Sequence, residues 1–407
     1  MTNGEPVRVM MYSHDGFGLG HLRRNSVIAT QFTREVPGSS VLMVIGCPSG
    51  SFFKTPPGVD SIKVPSIVKV DTGAWCPRTL RISPDTTRAL RAATIQRAAE
   101  LFAPHLFLVD YIPTGVWGEL RPILQMLKRR EDPPKIILGL RDILDDPKVT
   151  RELWRREGAY EAIDRYYDKV FIYGCREVFD TAAEYGLDDA FAEKIEECGY
   201  LCSRGPYKAK AQMRAELQTK KDKLVVVTAG GGYDAYPMML ECIEAFHLLG
   251  EQFAFEAVFV AGPLMADDHR ESLRRRAQGL PIRVLWYVDD NLSCMNAADL
   301  IIAMAGYNTL TEAIHLGKRV LVVPRPGPSA EQTIRAQRFS DLGLIQAIRP
   351  EQLSPAVLAQ AIRENLYAQP VRPLQLRMDG ATQAVRNMTK LLPSVRAGSG
   401  ENTLSLS

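Results

Sequence analysis

The stretch Ala303–Gln337, AMAGYNTLTEAIHLGKRVLVVPRPGPSAEQTIRAQ, decides the fold. It reads as the end of a buried strand, a glycine turn at Gly306, a short helix over Thr309–Leu316 and a stop at Gly317. A second strand, Arg319–Val323, a loop rich in Pro and Gly and a helix opened by Glu331 follow. Strand, helix and strand of this length belong to a parallel sheet covered by helices. Glu312 falls about one turn into the first helix, where a carboxylate beside free helix amides can accept two hydroxyl hydrogen bonds from a ribose. Glu331 and Gln332 open the next helix at the same mouth and can read further hydroxyls. The plainer alternative is that Glu312 and Glu331 are favourable charges near helix N-termini.

The same alternation runs outward over most of the 407 residues, a length that suits two domains. First-half strands are expected at Val7–Tyr12, Ser40–Ile45, Leu106–Val109, Lys135–Leu138 and Lys169–Ile172. The second half repeats the style at Leu224–Thr228, Ala254–Val260, Ile282–Tyr287, Leu300–Met304 and Arg319–Val323. The fold class is therefore α/β, with two Rossmann-like doubly wound parallel-sheet domains. Boundaries are expected at 1–205 for the first, 206–222 for a basic linker and 223–370 for the second. A last helix over 371–393 should pack back toward the first domain, before a loose Ser- and Gly-rich tail at 394–407.

Composition excludes several classes. Hydrophobic residues make up 46% and charged residues 24%, and no window approaches a membrane span. A formal charge of +3 does not predict nucleic-acid binding. The start, Met1 to Pro6, reads as a polar lead rather than a signal, which places the protein in the cytoplasm. Seven scattered cysteines fit reduced thiols, and Cys198 and Cys202 lack a second ligand pair for a metal, so no metal site is expected.

Ligands of open α/β sheets collect where strands end, so two further loops matter. Ser13–Asn25, SHDGFGLGHLRRN, follows the first strand and places Gly20 and His21 at a helix start. There the helix dipole favours a neutral imidazole able to accept a proton. A dinucleotide fingerprint wants its third glycine three residues after the second, and Gly18 is followed by Gly20 instead. Thr228–Tyr236, TAGGGYDAY, sets Gly230, Gly231 and Gly232 between a strand and a helix as an anion cradle, without the Lys-Ser/Thr of a P-loop. A bare tight turn is the alternative.

Together these motifs resemble the two-domain GT-B nucleotide-sugar glycosyltransferases, and within them the family of the lipid II-forming N-acetylglucosaminyltransferase and related bacterial predicted glycosyltransferases. The resemblance covers roughly residues 7–370; it is weak in the first half outside GHLRRN and specific in AGYNTLTEAIHLGKRVLVVP followed by AEQ. It implies a UDP-sugar held mainly by the second domain and transferred with inversion, without a metal or cofactor. Glu312 matches the family's ribose-binding glutamate, and Gly306, Tyr307, Asn308 and Thr309 fall where the diphosphate is met. Glu331 and Gln332 fall where the family has two glutamines on the donor sugar, so position 331 departs from the pattern. Tyr287 and Val288 open the stretch, through Asn291, that holds uracil by its backbone. Asp289 and Asp290 there could equally be solvated turn residues.

The resemblance sets His21 before the reaction centre; His21 is the first candidate general base and Asp15 the second, with Asp110, at the end of the strand HLFLVD, as orienting partner of the imidazole or, alternatively, a helix cap or turn residue. A retaining relative would carry a second glutamate eight residues after Glu312, where this chain has Val320. The acceptor is expected to be a carbohydrate, a lipid-linked molecule or a small molecule. Arg78, Arg81, Arg88, Arg91 and Arg97 could meet an anionic lipid at the membrane, or form an ordinary solvated face. Rival readings are a UDP-N-acetylglucosamine 2-epimerase-like enzyme and a non-catalytic nucleotide-sugar-binding subunit.

Overall fold

The computed structural model describes residues 5–13, 20–48, 50, 55–71, 74–203, 205–250, 255–368 and 375–392. The N-terminal lobe is built on β1 (Arg8–Ser13), β2 (Ser40–Ile45), β3 (Val59–Lys63), the hairpin β4 (Ile67–Asp71) and β5 (Ala74–Pro77), then β6 (Leu106–Asp110), β7 (Lys135–Arg141), β8 (Lys169–Tyr173) and β9 (Ile195–Glu197). The C-terminal lobe carries β10 (Lys223–Thr228), β11 (Phe255–Val260), β12 (Ile282–Leu285), β13 (Leu300–Ala303), β14 (Arg319–Val322) and β15 (Gln346–Ala347). Both large sheets are parallel, in the orders β3-β2-β1-β6-β7-β8-β9 and β12-β11-β10-β13-β14-β15. Their central strands are buried along nearly their whole length because helices cover both faces.

Strand order reverses between β1 and β6 and between β10 and β13. These are the switch points where doubly wound sheets open a crevice, and each is flanked by a glycine-led helix. The lobes also share a core. One apolar cluster runs from Val9, Met11 and Phe32 through Tyr200 and Leu201 to Tyr307, Leu310 and Phe339.

Two segments differ from their expected form. The basic stretch after Gly205 holds a helix, Lys210–Glu216, docked on the C-terminal lobe: Lys210 and Arg214 pair with Asp299 at 2.6 and 2.5 Å. It is thus part of that lobe rather than a free linker. Arg91, expected on a basic face, points inward instead. The helix Pro84–Phe102 buries Thr87, Arg91, Ile95 and Ala99, four residues apart on one face, and Arg91 meets Glu119 there.

The helix Gly380–Lys390 buries Ala381, Ala384, Val385 and Met388, an amphipathic stripe. It returns to the N-terminal lobe, with Tyr200 N–H donating to Arg377 O at 2.8 Å and Gln31 Nε2 donating to Thr382 Oγ1 at 3.2 Å. The expected tail, 394–407, lies outside the described residues.

Candidate functional site

A cavity of about 480 Å³ opens between the lobes at the carboxyl ends of both sheets. On the C-terminal side β13 delivers the helix Tyr307–His315. Its N-cap, Gly306, offers no side-chain cap, and no acidic residue stands in the first turn. The N–H groups that open a helix have no internal partner, so here they present positive potential to the cavity. Gly306 has an ordinary φ of −69°, and a Cβ on it would meet nothing within 4 Å. Neither backbone strain nor packing calls for glycine there; what it leaves open is space in front of the amides.

Gly230, Gly231 and Gly232 line the same cavity from the loop after β10. Gly232 has φ of +84°, and a Cβ on it would lie 1.8 Å from Ala261 O, so this loop closes on the one leaving β11 only as glycine. Tyr287 and Val288 line the far end, with Tyr287 55% exposed. Asp290 is a cap, accepting from Ser293 N at 2.9 Å, while Asp289 stays on the cavity wall.

Glu312 is 3% exposed and lines the cavity one turn along the helix. Its Oε1 is 2.5 Å from Nη2 of Arg23, which comes from the opposite lobe. Its Oε2 is buried with no hydrogen-bond partner among the described residues. A buried carboxylate oxygen without a donor is costly, and a ligand hydroxyl arriving there would relieve it.

Four expected donor-site residues are already engaged by protein. Tyr307 turns its ring out of the cavity: Oη donates to Tyr173 O at 2.8 Å and accepts from Leu201 N–H at 2.9 Å, while Arg24 and Arg335 lie over the ring at 5.6 and 5.7 Å. Only its backbone can face a ligand. Glu331 pairs through Oε1 with Arg335 and through Oε2 with Arg141, both at 2.7 Å. Burial pushes its carboxyl up, but the two guanidinium charges outweigh this and hold it below the ordinary range. Gln332 accepts from Arg325 N–H at 3.1 Å, and Asn308 Nδ2 donates across the lobes to Gly20 O at 3.2 Å.

On the N-terminal side the helix Gly20–Glu35 follows β1 and brings His21 against Asp110 at the end of β6. His21 Nδ1 lies 2.5 Å from Asp110 Oδ2. The contact orients the ring and turns Nε2 away from the carboxylate. Arg24, 1% exposed, sets Nη2 3.2 Å from the same carboxylate and 2.6 Å from Nδ1. The Tyr111 ring stands 5.7 Å from the imidazole, on a residue with φ of +74°. His21 is 9% exposed and stands beside the cavity lining, in which Gly20, Arg23 and Arg24 take part. Asp15 lies outside the described residues.

Arg141, Asp142 and Arg335 were not legible as site residues. Arg335 is fully buried between the lobes and grips Asp142 through Nε at 3.1 Å and Nη2 at 2.7 Å. The one available signal is an Arg-Asp pair closing the apolar run of β7. Among the described residues no three His, Cys, Asp or Glu side chains cluster as a metal site, and no helix is long and apolar enough to cross a membrane.

Two parallel-sheet lobes with a crevice at paired switch points are the GT-B fold. Residues 224–392 match the glycosyltransferase family 28 C-terminal domain. The chain is 23% identical over 363 residues to the UDP-N-acetylglucosamine–N-acetylmuramyl-(pentapeptide) pyrophosphoryl-undecaprenol N-acetylglucosamine transferase of Alkaliphilus oremlandii, covering 86% of this chain and 87% of that one. An uncharacterized glycosyltransferase of Methanopyrus kandleri is 30% identical over 132 residues, 32% of this chain and only 35% of the relative. The solved glycotransferase of kitacinnamycin superposes with a TM-score of 0.63 at 16% identity, over 96% of this chain and 100% of that one. A MurG structure from Acinetobacter baumannii gives 0.56 at 17%, over 95% and 100%.

Proposed function

We propose that the protein transfers a hexose or N-acetylhexosamine, with inversion, from a UDP-linked donor to an acceptor hydroxyl. The observation that carries this reading is one helix, Tyr307–His315, which presents uncapped amides at its start and the unpartnered Glu312 Oε2 one turn later. Amides suit a diphosphate and the carboxylate suits the ribose hydroxyls, at the separation a nucleotide requires. Gly230–Gly232 add further N–H groups to the diphosphate, and the loop at Tyr287 and Val288 receives the base.

His21 acts as general base. Asp110 holds the Nδ1 proton, so Nε2 takes the proton of the acceptor hydroxyl as it attacks the anomeric carbon, and the nucleoside diphosphate leaves. Preorganised donors facing a leaving group contribute about 3 kcal/mol each, which accounts for leaving-group stabilisation without a resident cofactor or metal. The acceptor enters from the N-terminal lobe as a carbohydrate, lipid-linked or small-molecule alcohol, with the enzyme in the cytoplasm or at the inner membrane face. Incubation with a panel of UDP-sugars, following UDP release with and without acceptors, tests the reading. Calorimetry showing no heat with any uridine or thymidine diphospho-compound would end it.

A further inference from the structure

The loop leaving β6 begins at Tyr111, against His21, and runs on to a second cavity of about 210 Å³. Trp75, from β5 of the hairpin, and Trp117 both line it, together with Ile112, Val116, Thr114 and Arg121. Trp117 is held at φ of +56°, a left-handed conformation that costs an L-residue and that glycine adopts freely. Its neighbours Gly115 and Gly118 are also left-handed. An indole kept where glycine would be relaxed marks strain retained at a working position.

A buried ion pair joins the two walls. Arg91 donates through Nε and Nη2 to Glu119 at 2.7 and 2.6 Å, and through Nη1 to Pro65 O, just before β4, at 2.5 Å. Tyr12 Oη donates to Glu119 at 2.5 Å and accepts from Val116 N–H at 3.2 Å. Both members of the pair are buried, an arrangement that is weak as a stability device but sets geometry. It fixes the Trp117 loop and the Trp75 hairpin relative to each other, and the reading of transfer leaves it without another role.

We infer that the Trp75–Trp117 cleft is an acceptor subsite that takes one sugar ring, so that the acceptor hydroxyl belongs to a glycoside. The inference rests on the proposed transfer. The volume lies below the roughly 300 Å³ at which pockets for drug-sized ligands begin, which fits one ring and not an extended chain. A pyranose offers apolar C–H faces to the indoles and hydroxyls to Arg121 and Thr114, which line the same cavity.

Indole N–H resonances of the full chain, assigned by single Phe substitutions at the four Trp positions, provide the test. The probes are methyl β-glucoside, methyl β-galactoside, methyl β-N-acetylglucosaminide and phenol, with a parallel calorimetric titration of UDP. Saturable shifts of the Trp75 and Trp117 signals with a glycoside, while core Trp154 stays still, are expected. Trp117→Ala should weaken that binding at least tenfold, leaving UDP heat unchanged and the Trp154 signal intact as the check on folding. Heat with UDP but no glycoside shift, or shifts with phenol alone, overturns the subsite and leaves transfer standing. A glycoside shift without UDP heat overturns the donor reading and, with it, the assignment of the cleft to an acceptor.

Discussion

At the switch point of the C-terminal sheet, the helix Tyr307–His315 meets the cleft with bare amides, an empty space before Gly306 and a carboxylate oxygen lacking a donor. At the matching point of the N-terminal sheet, the helix Gly20–Glu35 meets it with Gly20, Arg23 and Arg24, and sets His21 beside them, held by Asp110 and flanked by Arg24 and Tyr111. Equal strand order thus supports opposite equipment. One lobe keeps the Glu312 Oε2 unfilled for a ligand, and the other turns His21 Nδ1, Asp110 and Arg24 Nη2 onto one another. Pre-filled polar groups position chemistry, whereas unfilled ones supply affinity.

That contrast can be broken by substitution. His21→Ala should lower kcat by about 10²–10⁴-fold, as loss of a general base does, with UDP affinity by calorimetry unaltered. A parallel loss of UDP affinity would merge the two roles. Asp142→Ala leaves Arg335 buried with one carboxylate fewer, and loss of one partner from a buried pair costs about 3–5 kcal/mol, measurable by denaturant unfolding. Glu312→Gln should cost donor binding about 1.5–3 kcal/mol, the worth of a hydrogen bond to a charged group, with kcat at saturating donor less affected.

Gly306→Ala introduces a methyl group that touches no protein atom, so stability should fall by no more than about 1 kcal/mol, the usual scale of an N-cap change. Donor affinity should still drop, because the methyl group occupies the space before the amides; unchanged affinity would place the diphosphate elsewhere. The smallest effect concerns acid. Glu331 is held below its ordinary value of 4.5 by Arg141 and Arg335, so its contribution is present above that value and is lost as pH falls through the depressed one. Glu331→Gln should therefore flatten the acid limb of the unfolding curve below pH 4.5.

Much of this architecture was legible from the chain itself. Val225–Thr228, Leu300–Ala303 and their partners are continuous apolar runs, and these betray buried parallel strands. The edge strand β3 escaped notice because Val59–Lys63 exposes Asp60, Ser61 and Lys63 and carries no apolar run. β15 is only two residues long. Glu312 and His21 could be singled out because each follows a glycine turn at the start of a helix. The engagement of Glu331 was not legible, since its partner Arg141 lies far away in sequence and on the other lobe. The hydrogen bonds of the Tyr307 ring to Tyr173 and Leu201 were not legible either, because a position in the first turn of a helix says nothing of where an aromatic ring will turn.

Arg335 has a consequence for anyone recombining such proteins. Its counter-charge, Asp142, is supplied by the other half of the chain, and both side chains are wholly enclosed. A chimera that keeps the first half alone deprives the buried Asp142 of its cation, and one that keeps the second leaves Arg335 with Glu331 only, unless both positions travel together. The halves look like interchangeable modules, yet they are inherited as a matched set.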